Sequence, residues 1–370
     1  MRHIALVGNG KIGQVIADLL VHSGDYMVTV LDRDAAGLAR FTAHPRLRTR
    51  QIEISDSRAL AAQLQGQFAV LSAAPFHVTG RVAEAAHAAG IHYLDLTEDV
   101  ANTRRVRMLA ATSRGAFIPQ CGLAPGFITI VGHDLTERFE RLQDVRLRVG
   151  ALPQFPSNAL NYNLTWSTEG VINEYCEPCE EITNGKLRLA PPLEEREEFS
   201  LDGVTYEAFN TSGGVGTLCE TLSGRVENLN YRTIRYPGHA AIMKALLNDL
   251  RLRERRDVLK DVLENALPAT LQDVVIVFVT VTGYRGGQLM QDTYANKIYG
   301  GTVNGIPRSA IQITTAAGIC GVLDLLAHGK LPQQGFVRQE DVILAEFLNN
   351  RFGHVYATRT PQDQEIPQVA

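Results

Sequence analysis

Near the start of the chain, Gly8, Gly10 and Gly13 in VGNGKIG stand at G-x-G-x-x-G spacing. An acid, Asp32, follows 24 residues after the first glycine and 19 after the last. These residue types at these intervals suit one task, holding the pyrophosphate and a ribose of a dinucleotide. Gly8 permits a tight turn, Gly10 lets the backbone approach a phosphate, and Gly13 allows a helix to pack closely on a strand. Lys11 and Ile12 open that helix, whose first N–H groups and partial positive charge face the phosphates. The Asp32 carboxylate accepts from ribose hydroxyls and repels a 2′-phosphate. NAD is therefore expected over NADP, with Arg33 the neighbouring feature that would admit NADP. The glycines count only if a strand precedes them and a helix follows.

Both are present. His3 to Val7 is a short apolar run of the kind buried on both faces of a parallel sheet. Ile12, Val15, Ile16, Leu19 and Leu20 then recur at helical spacing before Gly24, and Tyr26 to Leu31 reads as a β-branched strand ending at Asp32. Further strands are expected at Thr49–Ile54, Phe68–Ala73, His92–Leu96 and Phe117–Pro119. Helices are expected after Asp56 through Leu64, at Val78–Ala89 and at Thr103–Arg114. Six strands alternating with helices predict an α/β, doubly wound parallel sheet of Rossmann type. Ligands of such sheets lie beyond the strand carboxyl ends. That draws attention to Asp56, to Ala73-Ala74-Pro75-Phe76, to Asp95 and Asp99, and to Cys121.

After about Gly126 the texture changes to longer alternating strands: 144–152, 160–166, 206–210, 230–236 and 273–284. The clearest helices there are 238–250 and 255–267. This is the pattern of an α+β domain. The polar stretch 180–200 reads as hairpin and connector, the segments near 309–329 and 339–352 as closing helices, and the tail after Thr358 as poorly ordered.

Composition narrows the function classes. The 370 residues carry 36 Lys plus Arg against 40 Asp plus Glu, a net charge of -4, so no basic excess points to nucleic acid and no cationic amphipathic stretch to a membrane. The opening apolar run is too short for a signal peptide, and the apolar segment 311–327 is broken by Thr, Gly and Asp324, as in a buried helix. Five cysteines make no disulfide framework, and a cytoplasmic location is expected. Cys176-Glu-Pro-Cys179 lacks the second ligand pair that zinc needs, so no metal is expected.

Several stretches together resemble the saccharopine dehydrogenase family, and within it the lysine 6-dehydrogenase branch. They are GNGKIG, SAAPF (72–76), HYLDLTED (92–99), CGLAPGF (121–127), WSTEGVINEY (166–175), FNTSGG with VGTL (209–218) and YRTIRYPGHA (231–240). The resemblance implies a Rossmann domain, residues 1–125 plus about 309–370, interrupted by an α+β substrate and dimerisation domain, 126–308. It implies a homodimer or higher homo-oligomer, and oxidation of a carbon–nitrogen bond of an amino acid by a nicotinamide cofactor. Saccharopine reductases usually carry GLDPG where this chain has Ala124.

For L-lysine, hydride leaves the ε-carbon while the amine is neutral, so a base is required. Arg235 is the expected anchor for the α-carboxylate, because guanidinium forks onto carboxylate, and the matching family arginine has that role. His239, after Pro237-Gly238, reads as base, proton relay, substrate ligand or helix cap. Asp95 and Asp99 can accept the α-ammonium, deprotonate the reacting amine, or cap helices. Cys121 matches a family position near the nicotinamide and can equally be an inert buried thiol. Phe76 is expected near the nicotinamide, where some relatives have Tyr. Thr211 and Ser212 suit a carboxylate, or a plain turn. Competing readings are a saccharopine or carboxynorspermidine-type dehydrogenase, with Arg225, Arg232 or Arg285 as a second carboxylate clamp, and a non-catalytic NAD(H)-binding protein.

Overall fold

Short apolar runs alternating with helices bury a sheet on both faces, and that is how the chain begins. A computed structural model describes residues 1–358; the tail expected after Thr358 lies outside the described residues. The first elements are β1 (Arg2–Val7), α1 (Lys11–His22), β2 (Tyr26–Asp32), α2 (Ala35–Leu38), β3 (Leu47–Gln51) and α3 (Ser57–Leu64). Then come β4 (Ala69–Ser72), α4 (Phe76–Ala89), β5 (His92–Asp95), α5 (Val100–Ala110) and β6 (Ala116–Ile118). The strands are all parallel, in the order β6-β5-β4-β1-β2-β3. The strand order reverses between β1 and β4, so the crevice for a ligand opens beyond Val7 and Ser72. The third strand sits a few residues earlier than its hydrophobic pattern implied, because β3 is a largely exposed edge.

The second part contains α6 (Phe127–Thr136), β7 (Arg141–Pro153), α7 (Thr168–Cys176), β8 (Cys179–Thr183), β9 (Lys186–Ala190), β10 (Glu197–Leu201) and β11 (Val204–Asn210). It continues with α8 (Leu218–Thr221), β12 (Asn228–Arg235), α9 (His239–Lys244), α10 (Arg256–Ala266), β13 (Asp273–Arg285) and β14 (Gln288–Tyr299). These strands form a mixed sheet, β10-β11-β12-β7-β13-β14, with β8 also pairing to β12 and β9. Only β12 and β7 run parallel. Three expectations fail for physical reasons. Leu160–Trp166 is not a strand; apart from one bridge between Leu164 and Ala269, its side chains pack into an apolar cluster with α7, α9 and α10. The chain also has β14, which the pattern hid because it is an exposed edge. Helix α6 was missed because it is buried nearly all round and so lacks amphipathic periodicity.

The chain then forms a small hairpin, β15 (Gly301–Val303) and β16 (Ile306–Arg308), followed by α11 (Ala310–Ala327), β17 (Gly335–Phe336) and α12 (Leu344–Asn349). Strand β17 pairs in parallel with β6 and gives the first sheet a seventh strand, one more than expected. Ser309 and Gln312 close a capping box on α11, and the Asp273 carboxylate accepts from the Ala310 and Ile311 N–H groups. Among the described residues, α11 is the one helix long and apolar enough to cross a bilayer, yet 94% of it is buried inside the protein. It packs against α1 on one side and β13 on the other. One apolar cluster therefore runs from Ile4 and Leu6 in the first sheet to Val277 and Val279 in the second.

Candidate active site

A cavity of about 950 Å³ extends from the glycine loop into the space below the second sheet. At its first end Gly8, with φ +105°, adopts a conformation that favours glycine, and a Cβ there would come within 2.7 Å of the Ala73 carbonyl oxygen. A Cβ on Gly13 would stand 2.1 Å from the Gly8 oxygen, so α1 reaches β1 only because that position is bare. Gly10 caps α1 and lines the cavity, and a Cβ there would meet no protein atom within 4 Å. Asp32 is oriented by the Asn9 and Asp34 N–H groups at 2.8 and 2.9 Å. Lys11, Ile12, Arg33 and Glu53 complete this end. The bare cradle, the helix N-terminus and the ribose-facing acids fit a nicotinamide dinucleotide. Ala73, Ala74, Pro75 and Phe76 continue the wall toward Leu96, Glu98 and Gly122.

The other end is made of side chains. Arg235, at the end of β12, lines the cavity and is 2% exposed. Its Nε donates to the Tyr175 hydroxyl at 3.0 Å, and its Nη1 donates to Thr233 Oγ1 at 2.9 Å and the Ile234 oxygen at 2.8 Å. The Tyr162 ring lies 5.0 Å from its Cζ. Beyond Arg235 the turn is fixed by Glu207, which accepts from the Gly238 and Ala240 N–H groups. Leu164, Trp166, Leu267 and Ile311 give an apolar sleeve. Glu98 after β5 and Glu174 on α7 also face the cavity, with Glu169 and Glu264 beside Lys260.

Several expected site residues lie elsewhere. Asp95 is fully buried and lies off the cavity wall. It accepts from Tyr93 Oη at 2.7 Å, Thr97 N–H at 3.0 Å and Gln120 N–H at 2.9 Å, so it fastens the loop that carries Glu98. Asp99 and Asp56 cap α5 and α3. Cys121 is buried behind Gly122; its thiol donates to the Ile118 oxygen at 3.0 Å, and burial holds it well above the usual thiol range, so it stays protonated. His239 is buried outside the cavity lining. Its Nδ1 meets the Leu160 oxygen at 2.9 Å and must carry the proton, so Nε2 accepts from the Tyr175 hydroxyl at 3.1 Å. Burial, with Arg235 adding, pushes it down to about 3, which keeps it neutral.

Thr211 and Ser212 are buried behind the wall. The Ser212 N–H donates to the Glu174 main-chain carbonyl oxygen at 3.0 Å, and Gly213 packs so closely on Glu98 that a Cβ would lie 2.3 Å from its carbonyl oxygen. Their loop thus clamps the two glutamates. Arg225, Arg232 and Arg285 do not line the cavity and pair with Glu137, with Glu195 and Glu197, and with Asp292. Glu98, Glu174, Tyr175 and Trp166 escaped the sequence reading. A usable signal existed for Glu174, an acid three residues after Val171 on the buried face of a helix.

Residues 4–115 match the family described as saccharopine dehydrogenase NADP binding domain, and residues 122–353 match the saccharopine dehydrogenase C-terminal domain. Saccharopine dehydrogenase (L-Glu forming) from Saccharomyces cerevisiae is similar in fold, with TM-score 0.75 and 17% identity over 94% of this chain and 97% of that one. A probable dehydrogenase from Thermotoga maritima aligns at TM-score 0.48 and 10% identity, covering 95% of this chain and 94% of that one. The DAP dehydrogenase of C. glutamicum, in complex with DAP, aligns at 0.47 and 9%, covering 100% of this chain and 99% of that one. The chain belongs to the saccharopine dehydrogenase family and is an oxidoreductase with a nicotinamide dinucleotide-binding domain.

Proposed function

We propose that this family member is an NAD-dependent lysine 6-dehydrogenase, which oxidises the ε-amine of L-lysine to the 6-semialdehyde with release of ammonia. The aldehyde cyclises onto the α-amine. One observation carries the choice of substrate: the amino-acid end of the cavity has a single deep cation. Arg235 is buried, whereas Lys260, the other lysine or arginine there, sits at the rim paired with Glu169 at 2.6 Å. A substrate with one carboxylate and a second amine matches that charge pattern; saccharopine, with three carboxylates, leaves two of them facing acids.

Bound NAD supplies the hydride acceptor. Arg235 holds the α-carboxylate through its free Nη2 edge, Tyr175 fixes the guanidinium plane, and the apolar sleeve takes the methylenes and excludes water. The Asp32 carboxylate, held by the Asn9 and Asp34 N–H groups where a ribose would lie, supports NAD over NADP. The exposed edge β14, with Leu289, Met290 and Tyr299 on its surface, supports pairing with a second copy, to be read by light scattering.

The test is NADH formation by the purified protein with NAD or NADP and with L-lysine, saccharopine or carboxynorspermidine offered separately. Turnover of L-lysine with NAD and stoichiometric ammonia is the expected result. Turnover of saccharopine alone would overturn it, and NADH binding with no turnover of any amine would leave a cofactor-binding protein.

A further inference from the structure

Glu174 is 6% exposed and lines the cavity. Glu98 lines the same wall, and its Oε1 is buried without a partner. The two come from separate elements and are brought together by the loop 211–214, through the Ser212 N–H and the bare Gly213. Burying a carboxyl is costly unless its charge is balanced; Asn173 faces Glu98 and Arg235 faces Glu174, and the Arg235 guanidinium is itself engaged by Tyr175 and Thr233. Their place on the wall of the cavity that holds Arg235 points to a cationic ligand.

We propose that Glu98 and Glu174 form a carboxyl pair that receives the reacting ammonium group of the substrate, with Glu98 accepting its proton. This rests on the lysine reading. The ammonium N–H bond breaks as an O–H bond forms on Glu98. The freed nitrogen lone pair forms C=N as hydride leaves the ε-carbon for the dinucleotide. Water then adds at that carbon, and the C–N bond breaks. The balance is R–CH2–NH3+ plus NAD+ plus H2O giving R–CHO, NADH, NH4+ and H+, the last being the proton that Glu98 takes and returns to solvent.

The surroundings suit a pair that keeps one proton. Asp95 and Asp99 flank Glu98 on its own loop, with Asn173 facing it from α7. Arg235 and Tyr231 from β12, Tyr175 from α7, Tyr162, and Cys179 from β8 face Glu174. Burial pushes Glu98 up to about 7, and burial together with the Glu98 charge holds Glu174 well above the usual carboxylate range. Near neutrality Glu174 therefore keeps its proton while Glu98 is divided between its two forms. A base works only when deprotonated, so the rate falls as pH drops through the Glu98 value.

The experiment uses the full chain with Glu98→Gln and Glu174→Gln, NADH binding by fluorescence reporting that each variant is folded. Wild-type kcat for L-lysine is expected to show an acidic limb near pH 7. Glu98→Gln lowers kcat by roughly 10²- to 10⁴-fold and removes the limb. Glu174→Gln, whose carboxyl keeps its proton near neutrality, leaves the limb in place and raises KM for L-lysine roughly tenfold. Calorimetry of L-lysine binding to the protein–NADH complex, in two buffers of different ionisation heat, reads proton exchange without turnover. The wild type is expected to release up to about half a proton at pH 7, and Glu98→Gln none. Glu98→Gln that keeps the rate and the limb overturns the pair while wild-type turnover preserves the lysine reading. An unchanged KM in Glu174→Gln overturns its share in the ammonium site. A wild type silent with L-lysine overturns the lysine reading and this assignment of the amine together.

Discussion

The two ends of the cavity are built from different materials. The dinucleotide end is backbone: bare glycines, a helix N-terminus and one acid fixed by two N–H groups. The amino-acid end is side chain: a buried guanidinium, two carboxyls and a tyrosine, drawn from the loop after β5, from α7 and from β12. Backbone sites depend on the absence of atoms, so adding one carbon breaks them. Side-chain sites depend on partners, so they fail by losing a hydrogen bond or a charge.

Adding one carbon is accordingly the largest expected effect. Gly13→Ala places a Cβ against the Gly8 carbonyl, at 2.1 Å before any shift. Backbone must move, at a cost of about 3 kcal/mol, and the Kd for NADH rises roughly 100-fold together with a lower melting temperature. Gly10→Ala sharpens the contrast. Its Cβ meets no protein atom, so the free protein melts unchanged while NADH binding weakens. If Gly10→Ala melts as low as Gly13→Ala, the glycines act through the fold and not through the cradle.

At the other end Arg235→Lys keeps the charge and loses the fork. The ammonium cannot serve Tyr175, Thr233 and a carboxylate together, so KM for L-lysine is expected to rise roughly 10- to 100-fold with the Kd for NADH unchanged. Equal loss of both affinities would show that the two ends are one site. Tyr175→Phe is the smaller version. Its hydroxyl accepts from Arg235 and donates to His239, so removing it strands one donor and one acceptor. A rise in KM of roughly tenfold, with kcat nearly constant, is expected.

The same contrast explains what was legible in the sequence. Turns, strand ends and helix starts have local signatures, so the cradle from Gly8 to Asp32 and the wall from Ala73 to Phe76 could be read residue by residue. Arg235 was found because its motif is distinctive. Glu98 was overlooked between Asp95 and Asp99, because a sequence does not tell which of three neighbouring acids turns inward. In the structure the two aspartates are tied to backbone N–H groups and the glutamate is left to the cavity. Glu174 required knowing that the 211–214 loop lies behind it, a contact between residues far apart in the chain. His239 was misread for a related reason: its neighbours Leu160 and Tyr175 come from segments that no local pattern links to it.

Asp56 supplies the smallest effect and tests the line between the two kinds of residue. The sequence placed it at the cofactor end because it follows the third strand and precedes a helix. In the structure its Oδ1 accepts from the Arg58 and Ala59 N–H groups, both at 3.0 Å, and it does not line the cavity. An N-cap of this kind stabilises its helix by about 1 kcal/mol. Asp56→Ala is therefore expected to lower the melting temperature by roughly 2 °C, leaving the Kd for NADH and the KM for L-lysine unchanged. Asp56→Ser, which can still cap α3 but carries no charge, separates the two roles: a cap recovers its stability in the serine variant, whereas a cofactor ligand leaves NADH binding weak. A tenfold weaker NADH complex in both variants, at unchanged melting temperature, would move Asp56 back to the dinucleotide site and extend the backbone-built end to the third strand.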